Sequence, residues 1–554
     1  MKAHIEDNII YSPYPDITIP LCSFYTLAKK KLLVDPDKIA LVSDVATLTR
    51  GQLLAGMERY AVGMQQYGLL PGDRICIHLN NEAQNLLVMY GCILAGATIV
   101  LAKTSLTEGE LRYQAEDSDC THIITEEQYA EKTRKAVSNM KMKTLFCMGR
   151  AAGFVSVSEF MKLDEQGFND CPVTDPCNSV LAVCYTSGTT GMPKGAEITH
   201  YNYVACCYTS WQFKLDVSKK QSCKKVGCMP QWGEGDVYLG TLPITHQTGL
   251  VFPMAAMLGG ACCALVSAKL TPLEILDAVN KYKATAALFF STHLQGLVRE
   301  IQRTGRGTPS MRVIATGGAP LSASLAEATR VSFAGLECLV NMYGMTESCG
   351  IVTGQPKTDD VSATVDAGVP VTGVQIKVVD VYTRRKLGPH ETGEICFRSL
   401  SMVRGYYKRP KETAQLFDEE GWCKSGDAGY YDESGRLYIV ERLKQMIKCM
   451  DNQVVPTELE ELLLHHHADE IEEVSVVGVP HPDFGEAPAA AIVLTEKGRA
   501  QDGHILAEKM KATISSNLAV HKHLYGGVYF VDSFPKTETA KVNRTTLARS
   551  LLKV

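Results

Sequence analysis

Residues 186–195 read Thr-Ser-Gly-Thr-Thr-Gly-Met-Pro-Lys-Gly and follow the apolar run Leu181–Tyr185. Glycines at 188 and 191 let backbone amides approach an anion closely, and the hydroxyls of Thr186, Ser187, Thr189 and Thr190 add donors. Lys194 places a positive charge where triphosphate oxygens would lie. The chemistry implied is the handling of a polyphosphate. The Walker A spacing is absent because Gly195, not a hydroxyl residue, follows Lys194, so a P-loop kinase or GTPase is excluded. A plain turn between two strands does not account for ten such residues in this order.

Other segments carry residues suited to the same ligand. In ATGGAPLS (315–322), Gly317, Gly318, Ala319 and Pro320 form a strand-to-helix turn against which a flat base or acyl chain can lie. In NMYGMTES (341–348), Tyr343 supplies an aromatic plane, Thr346 a hydroxyl and Glu347 a carboxylate, and beside a triphosphate a carboxylate serves best as a magnesium ligand. Taken alone, Thr346 and Glu347 also read as a helix N-cap box. Asp427 in SGDAG can accept two hydrogen bonds from a ribose diol or make an Asx turn. Arg442 can hold the same oxygens through its fork or form a surface ion pair. Lys541, in FPKTETAKVNR, reads in isolation as a surface lysine.

These strings, in this order and over essentially the whole chain, resemble the motifs of the acyl-adenylate-forming (ANL) superfamily of AMP-binding enzymes. Its branch of 4-coumarate-CoA ligases, acyl-CoA synthetases and beetle-type luciferases is the most similar. The resemblance implies that Thr186, Ser187, Gly188, Thr189, Thr190, Gly191 and Lys194 grip the outer phosphates of ATP. It puts Gly318, Ala319, Pro320 and Tyr343 against adenine, and Thr346 and Glu347 at the α-phosphate and Mg2+. Asp427 and Arg442 take the ribose, and Lys541 bridges the acyl carboxylate and the α-phosphate. His246, in LPITHQTG, matches a histidine beside the acyl pocket, with Gly317, Met342 and Gly344 as further pocket residues. Lys444 matches the hinge about which the C-terminal domain rotates, and Lys448 the lysine presented in the second step. ATP, Mg2+ and CoA as co-substrate follow from the same resemblance.

The elements that must position these residues are legible as alternating helical and apolar strand runs. RICIHL, ATIVLA and THIIT in the first 180 residues, then LAVCYT, ALFFS and RVIATGG, predict two α/β layers with parallel strands. Residues 351–440 turn to short β runs (GVQIKVVD, GEICFRS, GRLYIV), and about a hundred residues after ERLKQMIK hold helices and strands of their own. The expected organisation is therefore α/β. An N-terminal domain spans 1–440, with layers 1–180 and 181–350 and a β-rich subdomain 351–440. A hinge at 441–445 leads to a mobile α/β domain at 446–554.

Composition narrows the partners. A net charge of −5 without charge runs argues against nucleic acid and anionic membranes. The nineteen cysteines lack C-x-x-C spacing and predict free buried thiols and no structural zinc. His465–His467 end an amphipathic helical run and read as a solvated helix end. The uncharged stretches 86–102 and 249–268 contain glycines and predict buried helix-strand units, with no transmembrane segment. The start lacks a signal peptide and the end a peroxisomal tripeptide, so a cytoplasmic protein is expected, with no carrier-protein domain.

The resemblance makes the expected activity that of an AMP-forming acid-thiol ligase acting on a medium-chain fatty or arylalkyl acid. Met342 stands where relatives carry a pocket glycine, and its thioether would shorten the pocket. Asn341 replaces the glutamine common before that glycine. Met450-Asp451 stands before Asn452-Gln453-Val454 where relatives show Lys-Gly, and Ala540 replaces a glycine before Lys541. An aspartate there would obstruct and repel an incoming polyanion. Two alternatives stand beside the ligase: a luciferase-like monooxygenase in which O2 meets the adenylate, which the resemblance to that branch implies, and a nucleotide-binding protein impaired in the CoA step, which Met450-Asp451 motivates.

Overall fold

The computed structural model describes residues 2–186, 192–212, 235–319, 321–355, 366–450, 452–536 and 542–552, with side chains left aside at 211–212. Contacts divide the chain into two units. One is Met1–Ile376 with Phe397–Cys423 and Ser434–Arg436, and the other is Lys377–Cys396, Lys424–Glu433 and Leu437–Val554. The α/β class expected from the sequence is the class observed.

Two sheets dominate the first unit. Strand β1 (Val180–Tyr185) lies beside Thr98–Leu101, followed by Arg74–His78, His122–Glu126, Thr144–Met148 and Val155–Ser156, all parallel. Strand β2 (Gly195–Thr199) closes this seven-stranded sheet antiparallel to β1, with Tyr185 opposite Gly195. The parallel strands are apolar almost without interruption because both of their faces are buried. Val100, Ile123 and Val183 sit fully buried in the core between this sheet and its helices.

Among the described residues the second sheet has nine strands. Its centre runs Val237–Gly240, β3 (Ala286–Phe290), β4 (Val313–Gly317) and β5 (Cys338–Tyr343), all parallel. The layer boundary expected at residue 180 is crossed in both directions. Ile39–Val42 pairs with Cys262–Leu265 in the nine-stranded sheet, while β1 and β2 complete the other one. Strand pairing depends on neighbours distant in sequence, which local apolar runs do not reveal.

Both uncharged stretches are helix-strand units: helix Ala83–Leu94 with strand Thr98–Leu101, and helix α1 (Gln247–Gly259) with Cys262–Leu265. Among the described residues no helix is long and apolar enough to cross a membrane. The cysteines of the described residues are free thiols, and no group of three or more ligating side chains among these residues could hold a metal.

In the second unit, β6 (Cys423–Tyr431) and β7 (Leu437–Arg442) pair antiparallel. Farther along, β8 (Ile447–Cys449) and β9 (Asn452–Val454) join a sheet with Ile471–His481, Gly485–Leu494 and Gly527–Phe530. Helix Pro456–His466 packs on that sheet and α2 (Arg544–Leu551) follows it near the end of the chain. His465 and His466 are exposed as expected, whereas His467 is buried with Nε2 2.9 Å from Thr513 Oγ1.

Helix Arg50–Gln66 crosses Ala83–Leu94 at Gly91, where an added Cβ would stand 2.6 Å from Tyr60 Cβ and 3.0 Å from the Met57 carbonyl oxygen. Gly91→Ala is therefore expected to destabilise the fold by about 1–3 kcal/mol through overpacking. An unchanged unfolding midpoint in denaturant would refute this account of the crossing.

Candidate active site

The phosphate-type loop is the connection between β1 and β2. Its neck is closed by the Thr186 amide donating to the Lys194 carbonyl at 2.9 Å. Ser187, Gly188, Thr189, Thr190 and Gly191 lie outside the described residues. Thr186 is buried and Lys194 half-buried, with the ammonium 4.7 Å from the centre of the Tyr406 ring.

Tyr406 belongs to a segment that pairs along the free edge of β2. The Glu197 amide donates to the Gly405 carbonyl at 2.9 Å, Arg404 to Glu197 at 3.0 Å, and Tyr407 to Gly195 at 2.8 Å. The Tyr406 hydroxyl then donates to Glu347 Oε1 at 2.5 Å. Glu347 is only 7% exposed, and among the described residues no cationic side chain pairs with it. A buried carboxylate with one neutral donor is under-compensated and fits a cation. Its oxygens are the hard donors that Mg2+ takes in ones and twos alongside phosphates, and the neighbouring residue Thr346 is half-buried.

The turn holding these residues is Thr346–Ser348. Its cap is formed by Ser348, whose Oγ accepts from the Met345 amide at 3.1 Å, and not by Thr346 and Glu347. The Val403 amide donates to the Glu347 carbonyl and Ser401 Oγ to the Ser348 carbonyl, which staples the turn to the segment carrying Tyr406. Sequence reading missed Tyr406. Its local signal was an aromatic residue directly after a glycine, Gly405, whose φ is +147°.

The expected pocket residues meet at the carboxyl ends of the central parallel strands. Phe290 pairs with Gly317, and Gly317 with Met342. A Cβ on Gly317 would stand 2.7 Å from the Met342 carbonyl oxygen, and one on Gly344 2.4 Å from the Gly350 carbonyl oxygen. Glycine is demanded there by backbone approach. Gly318 has a φ of +78°, the Ala319 carbonyl accepts from Ser291 Oγ at 3.2 Å, and Pro320 lies outside the described residues. Tyr343 is half-buried, with its carbonyl held by the Val352 amide at 2.8 Å. Asn341 is tied through Nδ2 to the Asp366 carbonyl.

His246 caps α1. Its Nδ1 accepts from the Thr248 amide at 3.3 Å and lies 2.7 Å from Thr248 Oγ1, and its ring stands edge-on to Phe290 with centroids 6.2 Å apart. The His293 ring also neighbours that of Phe290, with centroids 5.8 Å apart, and burial lowers the His293 pKa from the ordinary imidazole value. Burial pushes the Cys184 thiol up to about 11 and raises Cys349 well above its usual range, so both are protonated thiols that fill space.

In the second unit, Asp427 and Arg442 face each other across β6 and β7, with Nε 3.0 Å from Oδ1. Asp427 is buried and Arg442 is 41% exposed. Lys444 sits in the turn after β7, where the Leu443 amide donates to the Gly426 carbonyl and the Gln445 amide to that of Arg442. Lys448 is exposed on β8, and its amide donates to Glu486 Oε2 at 2.9 Å. Met450, directly after β8, has a φ of +53°, a rare conformation for so bulky a side chain. Asp451 and Lys541 lie outside the described residues.

Arg544, also unforeseen, begins α2. It reaches Glu441 Oε2 at 2.7 Å and Glu460 Oε1 at 2.8 Å. Burial raises the Glu460 carboxyl above its usual range, against the pull of Arg544.

The family model described as AMP-binding enzyme matches residues 29–407, and its C-terminal domain model matches 458–541. The 4-coumarate–CoA ligase 3 of Arabidopsis thaliana is 30% identical, over 98% of this chain and 94% of that protein. Among solved structures, ATP-bound MatB from Rhodopseudomonas palustris aligns with a TM-score of 0.81 at 25% identity, covering 95% of this chain and 98% of that one. The o-succinylbenzoate CoA synthetase of Bacillus subtilis, in complex with its acyl-adenylate, aligns at 0.77 and 25%, covering 94% and 97%.

Removing one partner of a buried ion cluster strands the others. Arg544→Met is expected to destabilise the second unit by about 3–5 kcal/mol near pH 8. Glu460 already has a raised folded-state pKa, and losing the guanidinium raises it further. The variant should therefore regain stability as pH falls and the carboxyl takes a proton. Denaturation at pH 8 and pH 6 checks this, and a variant equally destabilised at both would refute it.

Proposed function

The chain belongs to the AMP-binding enzyme family, and from that premise we propose that it joins a carboxylic acid to CoA in two steps at one site. In the first step a carboxylate oxygen bonds to the α-phosphorus of ATP. The bond to the bridging oxygen breaks, giving acyl-adenylate and pyrophosphate. In the second, the CoA sulfur bonds to the acyl carbon, the acyl C–O bond breaks, AMP leaves and the thiol proton passes to solvent. Carboxylates are ionised near neutral pH, so the first step needs no general base. It needs positive charge at the phosphates.

The observation that carries this reading is the convergence of Lys194 and Glu347 on one tyrosine beside the neck of the 186–194 loop. In this reading the loop from Thr186 to Lys194 holds the outer phosphates. Gly318, Ala319, Pro320 and Tyr343 flank the adenine, and Asp427 and Arg442 share the ribose hydroxyls. Lys541 lies across the forming acyl-phosphate bond, Lys444 serves the hinge and Lys448 the thiol step. Glu347 and Thr346 would hold magnesium, which supplies charge neutralisation on the phosphate oxygens when bound. His246 forms a wall of the acyl pocket rather than a base, since its Nδ1 already accepts from Thr248.

Met342 supports a medium-chain or arylalkyl acid, because a buried thioether beside Gly317 takes up room at the strand ends. A second reading, adenylation with a weak thiol step, draws on the left-handed Met450 at the turn leading to Asp451.

A panel of carboxylic acids scored by mass spectrometry for acyl-AMP and acyl-CoA, with and without CoA, is the decisive experiment. Both products should appear. Acyl-AMP alone would favour the second reading, and neither product would refute adenylation. Lys541→Ala is expected to lower adenylation by about 10²–10³-fold through lost transition-state charge. Met342→Gly should shift the preferred acid to a longer or bulkier one. Activity of the wild type that rises steadily with chain length past palmitate would overturn the short-pocket assignment.

A further inference from the structure

Tyr406 touches both charges of the phosphate end of the site, and with different parts of one side chain. Its ring face receives the Lys194 ammonium at 4.7 Å, an attraction between a cation and the negative face of the ring. Its hydroxyl donates to the buried Glu347 carboxylate at 2.5 Å, a charge-assisted bond. Its backbone is clamped between strand and turn: the Tyr407 amide donates to Gly195, the Tyr406 amide to Thr413 Oγ1 at 2.9 Å, and the Val403 amide to Glu347. The ring therefore has little freedom to leave. Among the described residues, Lys194 and Glu347 form no ion pair with each other.

An ammonium and a carboxylate in a partly buried site attract strongly. Left to themselves they would pair, and a paired Lys194 and Glu347 would be lost to a nucleotide and to a metal ion. We propose that Tyr406 is a positioning residue that keeps Lys194 and Glu347 apart, aiming the first at the nucleotide phosphates and the second at the cation that accompanies them. The inference rests on the phosphate and magnesium roles given to these two residues above, and it adds the device that keeps both available before ligand arrives.

Tyr406→Phe separates the two functions, because it removes the hydroxyl and keeps the ring. Binding of a non-hydrolysable ATP analogue, measured by calorimetry across a magnesium titration, is the direct readout. Tyr406→Phe should raise the magnesium concentration at half-saturation by about tenfold, the size of a lost hydrogen bond to a charged group, with metal-free nucleotide binding unchanged. Tyr406→Leu should also weaken metal-free binding by roughly three- to tenfold, as Lys194 loses its platform. In a Lys194→Met background the Leu substitution should cost little more, since the residue it positions is gone.

The KM for the acid in pyrophosphate exchange should stay at the wild-type value in the Phe variant, which a general structural defect would not allow. A Phe variant with wild-type magnesium dependence overturns the proposal. So do strictly additive effects of the Leu and Lys194→Met substitutions. If the Leu variant fails to fold, the Phe variant decides alone. A wild type that binds the analogue but adenylates no acid would refute the ligase reading, while the calorimetric comparison would still judge Tyr406.

Discussion

Strand β2 is hydrogen-bonded along both edges, and that double use determines where the charges of the site stand. One edge holds β1, which fixes the neck of the phosphate-type loop through Thr186 and Lys194. The other edge holds residues 404–407, which deliver Tyr406 to Lys194 and to Glu347. An uncovered edge would expose unpaired amides and carbonyls. Covering it with a segment distant in sequence also brings the Tyr406 ring to Lys194 and its hydroxyl to Glu347. The loop, the aromatic spacer and the carboxylate are thereby held by backbone pairing, which is stiffer than contact between side chains.

A second constraint acts at the ends of the central strands. At the carboxyl ends of β3, β4 and β5 the neighbours are Phe290, Gly317 and Met342, and adjacent backbones approach too closely for a side chain at 317 or 344. Glycine there is a packing necessity. Ligands in parallel α/β sheets settle at such strand ends because loops there diverge and leave a crevice. The rings of His246 and His293 both neighbour Phe290, the first oriented through Thr248 and the second with its pKa lowered by burial.

How much of this was legible in the sequence depends on the range over which each feature is determined. RICIHL, THIIT, ALFFS and RVIATGG appear as strands within a residue or so of their expected limits, because a strand buried on both faces writes an apolar run into its own segment. Sheet membership is written nowhere locally. Ile39–Val42 gives no sign that its partner is Cys262–Leu265. Tyr406 and Arg544 were missed for the same reason, since each matters only through residues brought near by tertiary pairing. At Thr346 and Glu347 the local pattern left a helix cap open beside a ligand role, and the structure gives the cap to Ser348 and leaves Glu347 a buried carboxylate.

The second unit uses charge in a different way. Asp427 pairs with Arg442, and the Arg442 amide donates to Glu441 at 2.9 Å. Glu441 in turn pairs with Arg544, which pairs with Glu460. Acid and base alternate from β6 through β7 to α2 and the helix Pro456–His466. One guanidinium between two buried carboxylates does not neutralise them, so the Arg442 and Val476 amides, which donate to Glu441 and Glu460, carry part of the compensation. Such a cluster is weak evidence for stability, because desolvation consumes much of the attraction. Its consequence is geometric. Loss of any one of Glu441, Glu460 and Arg544 leaves the others under-compensated, so in this arrangement the three side chains fix one another's positions.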